Sequence, residues 1–138
     1  MDKNLQKKLY QAILANQPKV LLAHSKGCQL ILDTFLVYGL PESVKTVILL
    51  QSDSDITDSL KLLVQKFQVY NIYAKDDLTL WFSCLLNLGK FRAGLVSYNH
   101  PKIKNISYMS YGVHTRSLQD IKFKNWILGT LRPVSKQL

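Results

Sequence analysis

The sequence predicts an α/β fold: a three-layer, mostly parallel sheet of about four to five strands with helices on both faces. Three observations carry this. Short apolar runs such as Val20–Ala23 and Val47–Leu50 lack the polar–apolar alternation of a half-exposed strand and fit strands covered on both sides. Segments with helical spacing of apolar residues alternate with them. The connections are short, and repeated strand–helix units with short links build parallel sheets. At 138 residues the chain fits one domain spanning 1–138 with a single core.

The elements follow in order. Asn4–Ala15 places Leu5, Leu9, Ile13 and Leu14 on one helical face, and Asn16-Gln17-Pro18 ends the helix because the residue before proline is pushed out of helical geometry. Val20–Ala23 is the first strand. Lys26–Tyr38 is a helix with Leu30, Leu32, Phe35 and Leu36, closed near Gly39-Leu40-Pro41. Val44–Gln51 is the second strand. The polar loop Ser52–Asp58 leads into a helix over Ser59–Phe67, with Thr57 or Asp58 as candidate caps. Gln68–Ala74 is the third strand, Lys75-Asp76-Asp77 a turn, and Thr79–Leu88 a helix ended by Gly89. Ala93–Tyr98 and Ile106–Tyr111 read as strands around the turn Asn99-His100-Pro101. Asp120–Leu131 is the final helix, stopped by Arg132-Pro133.

Composition narrows the function classes. Hydrophobic residues make up 47% and charged residues 20%, a globular balance. No apolar run approaches the length of a membrane span, and Met1–Lys8 has no apolar stretch resembling a signal peptide. A cytoplasmic protein is expected, with Cys28 and Cys84 as buried free thiols, although spacing alone does not rule out a disulfide. Neither cysteine has a partner at metal-ligand spacing, so no metal site and no cofactor are expected. The net charge of +9 is concentrated late in the chain: residues 90–138 carry nine Lys and Arg against Asp120 alone. Such asymmetry suits a nucleic acid, an anionic surface or a solvated face. Without a contiguous basic run or a nucleic-acid motif, the solvated face is favoured.

The stretch Lys19–Ile31 carries the chemistry. Ala23-His24-Ser25-Lys26-Gly27 fits the nucleophile elbow G-x-S-x-G with Ala at the first small position. In that elbow a serine sits on a strained strand-to-helix turn, between small residues where strand and helix approach. The helix N-terminus after it offers free N–H groups to a developing oxyanion. Alternatively, Ser25 is simply an N-cap. In parallel sheets ligands bind beyond the carboxyl ends of the strands. Ser25, Asp76/Asp77 and His114 all fall there. A serine hydroxyl needs a base within reach, and the base needs an orienting partner.

With Ser, Asp and His in this chain order, the sequence resembles the α/β-hydrolase family. It is most similar to small, lidless serine hydrolases of the retinoblastoma-binding-protein type. Val20–Cys28 is similar to that group's elbow, Ile72–Leu80 to its acid loop and Gly112–Leu118 to its histidine loop. The resemblance implies Ser25 as nucleophile, His114 as general base and Asp77, three positions after Ala74, as its orienter. It gives the backbone N–H of Lys26 as one oxyanion donor and His24 no proton-transfer role. It implies a small-molecule ester or thioester substrate. His100, beside Pro101, reads as an exposed turn residue. Only one helix precedes the elbow, so the chain resembles the carboxyl-terminal half of that fold, without the upstream loop that gives the second oxyanion donor. The first strand then lies near a sheet edge, which the Leu5–Leu14 helix or a second copy in a homodimer can cover. The alternative is a catalytically inactive hydrolase-fold binding protein that uses its basic region from Lys90 onward for an anionic partner. A third reading, an unrelated doubly wound domain, expects Ser25, Asp77 and His114 far apart.

Overall fold

The computed structural model describes residues 2–54, 56–87, 89 and 91–130. Its elements are α1 (Lys3–Asn16), β1 (Val20–His24), α2 (Lys26–Tyr38), β2 (Thr46–Leu50), α3 (Ile56–Leu63), β3 (Gln68–Tyr73), α4 (Leu78–Leu86), a 3₁₀ turn (Ala93–Leu95), β4 (Ile103–Ser107), α5 (Arg116–Gln119) and α6 (Ile121–Thr130). The four strands form one sheet in the order β1-β2-β3-β4. All three pairings are parallel, from Val20 opposite Thr46 through Val69 opposite Ile103.

The apolar run of β2 feeds both faces of this sheet. Val47 and Leu49 join Ile13, Cys28, Ile31, Phe35, Leu60, Leu63 and Phe67 in the core under α1, α2 and α3. Ile48 and Leu50 point the other way and meet Ile72 and Ile127, with Leu118 and Phe123 beside them. Helices therefore cover both faces, which explains why the strand shows no alternation. Leu80, Cys84 and Leu95 form a smaller cluster behind α4. The outer side of α4 stays apolar and exposed at Leu78, Phe82, Leu85 and Leu86. α1 lies on α2, with Tyr10 and Tyr38 stacked at 4.9 Å. β1 remains an edge strand of the sheet, and Leu22 on it is 50% exposed.

Several boundaries differ from the sequence expectation. Ala93–Tyr98 is not a strand: it holds the 3₁₀ turn, because Gly94 lies directly on the backbone of Gln51 and Ser52. The last strand is Ile103–Ser107 rather than Ile106–Tyr111. Residues 108–111 instead form a loop tied to Asp76. α3 starts at Ile56, so Thr57 and Asp58 lie inside it, and it ends at Leu63 rather than Phe67. The final helix starts after Asp120, whose carboxylate accepts the Phe123 N–H at 3.0 Å. Leu88, Leu131 and Arg132-Pro133 lie outside the described residues. Among those described, no helix is long and apolar enough to cross a membrane.

Candidate functional site

The carboxyl ends of all four strands converge on one cluster. β1 delivers Ser25, β2 delivers Gln51, the turn after β3 delivers Asp77, and the loop after β4 delivers His114. Ser25 sits at φ 55°, ψ −125°, a left-handed conformation that a side chain rarely adopts. Its backbone is fastened on both sides. The N–H donates to the Leu50 carbonyl at 3.1 Å, and its carbonyl accepts from the N–H groups of Cys28 and Asp53, each at 3.1 Å. The side chain makes no capping bond to α2, so Ser25 does not act as a side-chain N-cap. A methyl group added at Gly27 would meet the Ala23 Cβ at 4.0 Å, ordinary contact. The small pair is therefore genuine, but alanine would fit at 27 as well as glycine.

The Ser25 Oγ lies 2.6 Å from the Nε2 of His114, and the His114 Nδ1 lies 2.5 Å from the Oδ2 of Asp77. The sequence-predicted residues Ser25, His114 and Asp77 are thus brought together, which removes the expectation that they lie far apart. A carboxylate only accepts, so the Nδ1 of His114 carries its hydrogen. The neutral ring then presents an Nε2 lone pair to the serine hydroxyl. Asp77 is wholly buried. It also caps α4, its Oδ1 accepting the Leu80 N–H at 3.1 Å. Lys26 opens α2, where the first N–H groups have no acceptor within the helix.

Adjacent aspartates divide the work. Asp76 faces away from His114 and accepts from the Ser110 N–H at 2.9 Å, the Ser110 hydroxyl at 2.8 Å and the Tyr111 N–H at 2.6 Å. It anchors the loop that carries His114. Burial opposes its ionisation, but these three donors prevail and hold its carboxyl below the usual range. Tyr111 and Gly112, at φ 51° and φ 80°, turn that loop back toward the sheet. His24, which the resemblance left without a proton role, ties the two halves of the site together. Its Nε2 donates to the backbone carbonyl of His114 at 2.9 Å, and the rings lie 4.7 Å apart. Burial lowers its pKa, an effect the bond to His114 only partly opposes.

Two groups escaped the sequence reading. Gln51 bridges Asp77 and Ser117, and no local pattern announces a contact across 26 and 66 positions. The Oδ1 of Asp53 forms a buried ion pair with Arg92 at 2.8 Å and accepts from the Ser83 hydroxyl at 2.7 Å. The only trace of it in sequence is one of the two acids in the polar run Ser52–Asp55. Arg92 is thereby withdrawn from the basic surface, and Lys90, Arg132 and Lys136 lie outside the described residues. His100 is half-buried in the turn before β4, with its Nδ1 accepting the Lys102 N–H. Cys28 and Cys84 are free and buried. Among the described residues, no group of three or more His, Cys, Asp or Glu is placed to hold a metal ion. Comparison with protein-family models, curated proteins and solved structures finds no match to this chain.

Proposed function

We propose that this chain is a serine hydrolase that cleaves a small-molecule ester or thioester through an acyl-enzyme. The observation that carries this is the unbroken chain Ser25 Oγ, His114 and Asp77, at 2.6 and 2.5 Å, on a left-handed serine at the mouth of a parallel sheet. Ser25 attacks the substrate carbonyl while its proton passes to the His114 Nε2. The carbonyl oxygen becomes an oxyanion, and the Lys26 N–H at the start of α2 donates to it. His114 returns the proton to the departing alcohol or thiol, which leaves the acyl group on Ser25. Water then attacks the acyl-enzyme by the same proton path and releases the acid. Asp77 stays unprotonated. It holds the reactive tautomer of His114 and stabilises the imidazolium. The Nε2 of His24 is engaged with a carbonyl and takes no proton from substrate.

The family supported by this reading is the α/β-hydrolases. Ser25, Asp77 and His114 follow the first, third and fourth strands of a sequentially ordered parallel sheet, in the chain order of the resemblance. An alkyl fluorophosphonate probe tests the proposal. The wild type becomes labelled at Ser25, and Ser25→Ala does not. A folded wild type that resists labelling at pH 8 and millimolar probe refutes it and favours the inactive binding protein.

A further inference from the structure

Gln51 is fully buried at the end of β2, in a left-handed conformation with φ 44°. Its backbone is pinned, the N–H donating to the Ile72 carbonyl at 2.9 Å. The side-chain Nε2 lies 2.8 Å from the Oδ2 of Asp77, and the Oε1 lies 2.6 Å from the Ser117 Oγ. The amide can point only one way. A carboxylate accepts and never donates, so the NH₂ end faces Asp77 and the oxygen faces Ser117, which must donate. Ser117 is itself buried and lies three residues after His114. The loop of the base is therefore held to the acid twice: directly through the imidazole, and around the back through Ser117 and Gln51.

We propose that Gln51 is a positioning residue that fixes the Asp77 carboxylate for His114, an inference that rests on the hydrolase reading above. The Oδ2 of Asp77 receives both the Gln51 amide and the His114 Nδ1–H, while its Oδ1 is held by the Leu80 N–H. Without the amide, Oδ2 keeps only the His114 Nδ1–H, and the carboxylate is held less tightly in the plane of the imidazole. Gln51 has no exposed surface, so it touches no substrate and acts only through Asp77. The effect belongs to the chemical step rather than to substrate binding.

Two substitutions separate positioning from packing. Gln51→Leu keeps bulk and removes the donor. Gln51→Glu keeps shape and makes donation depend on a proton. When protonated, its O–H donates to Asp77 as the amide does; when ionised, it sets two carboxylates against each other. The charged or titratable neighbours around this position are Asp77 at the start of α4, His114 and His24 across the site, Cys28 on α2, and Asp53 in its own loop with its partner Arg92 before the 3₁₀ turn. All of these are retained in both variants.

The measurements are the rate of fluorophosphonate labelling and the kcat and KM for p-nitrophenyl acetate between pH 5 and 9. Circular dichroism confirms the fold. Gln51→Leu is expected to slow labelling roughly tenfold to a hundredfold, as loss of outer-shell partners does elsewhere, with the ratio to wild type independent of pH and KM unchanged. For Gln51→Glu that ratio is nearest to one at the acid end and falls as pH rises. Labelling within twofold of wild type by both variants at every pH overturns the inference, as does a pH-independent ratio for Gln51→Glu. If neither variant folds, Ser117→Ala decides: a several-fold slower kcat at constant KM supports the role, and a wild-type rate overturns it. An unlabelled wild type removes the hydrolase reading and this inference together. A labelled wild type with unaffected variants removes this inference alone.

Discussion

Gly94 packs against backbone rather than side chain, so Gly94→Ala has nowhere to put its methyl group. The added Cβ would lie 2.3 Å from the Ser52 nitrogen, 2.4 Å from the Gln51 carbonyl carbon and 2.7 Å from the Gln51 Cα. Relief requires the two segments to part by about 1 Å, since ordinary contact between carbon atoms needs about 3.5 Å or more. The bonds joining them are short: Gly94 N–H to the Ser52 carbonyl and Ala93 N–H to the Ser54 carbonyl, both 2.9 Å. Parting by that amount breaks both. Counting the two donor N–H groups alone, each left buried and unsatisfied costs about 1–3 kcal/mol. The loss is thus about 2–6 kcal/mol, a large share of the roughly 5–15 kcal/mol that holds a typical domain together. A domain of this size should lose roughly 10–20 °C in melting temperature. Gly129→Ala is the internal control. Gly129 lies in α6, and a methyl group added there would meet nothing within 4 Å. Alanine at that position should gain up to about 1 kcal/mol of helix propensity. Urea denaturation followed by circular dichroism reads both variants. A Gly94→Ala protein within about 0.5 kcal/mol of wild type, the scatter of a surface substitution, refutes the packing argument.

Three further outcomes are expected. The carboxyl of Asp76 is held below its unfolded value, so its contribution to stability is present above about pH 4 and is lost as pH falls through the lower folded value; Asp76→Asn should flatten the loss of melting temperature between pH 5 and 2, and parallel wild-type and variant curves would contradict this. Burial pushes the Cys28 thiol up to about 12, and Cys84 is buried too; a disulfide-exchange reagent should react with neither in the native state and with both in urea, whereas rapid native reaction at either would contradict the packing of α2 or α4. On the outer face of α4, the double change Phe82→Lys and Leu85→Lys removes exposed apolar surface. Stability should stay within about 1 kcal/mol while light scattering shows less self-association; a cooperative loss of the fold would mean that these side chains are buried.

β2 was legible because burial on both faces leaves an uninterrupted apolar run, Val47–Leu50; β1 is as apolar but is not covered on both sides, since Val20 and Leu22 are exposed at the sheet edge. Beyond Gly89 the same rule misled. Ala93–Val96 is apolar because it packs against Gln51 and Ser52, a tertiary reason that imitates strand composition. β4 is an edge strand, and its Lys104 and Asn105 hide it from a search for apolar runs. The amide of Asn105 instead closes the Tyr98 turn through its N–H and C=O. At the site, Ser25, Asp77 and His114 could be picked out because each sits at a strand end in the order of the resemblance. Choosing Asp77 over Asp76 rested on the resemblance to the family's acid loop, and only the fold shows that Asp77 contacts His114. Gln51 and the Asp53–Arg92 pair were invisible because their partners are distant in sequence and a lone polar residue at a strand end has many uses.

The carbonyl of Ser25 receives two amides, one from its own helix and one from the loop after β2. This ties the strained serine turn to the neighbouring loop through one shared acceptor. The amide protons of Cys28 and Asp53 are expected to exchange at matched rates, because opening either one loosens the turn that projects the Ser25 hydroxyl. Slow, matched exchange at these two positions would therefore report the lifetime of the turn that projects the Ser25 hydroxyl.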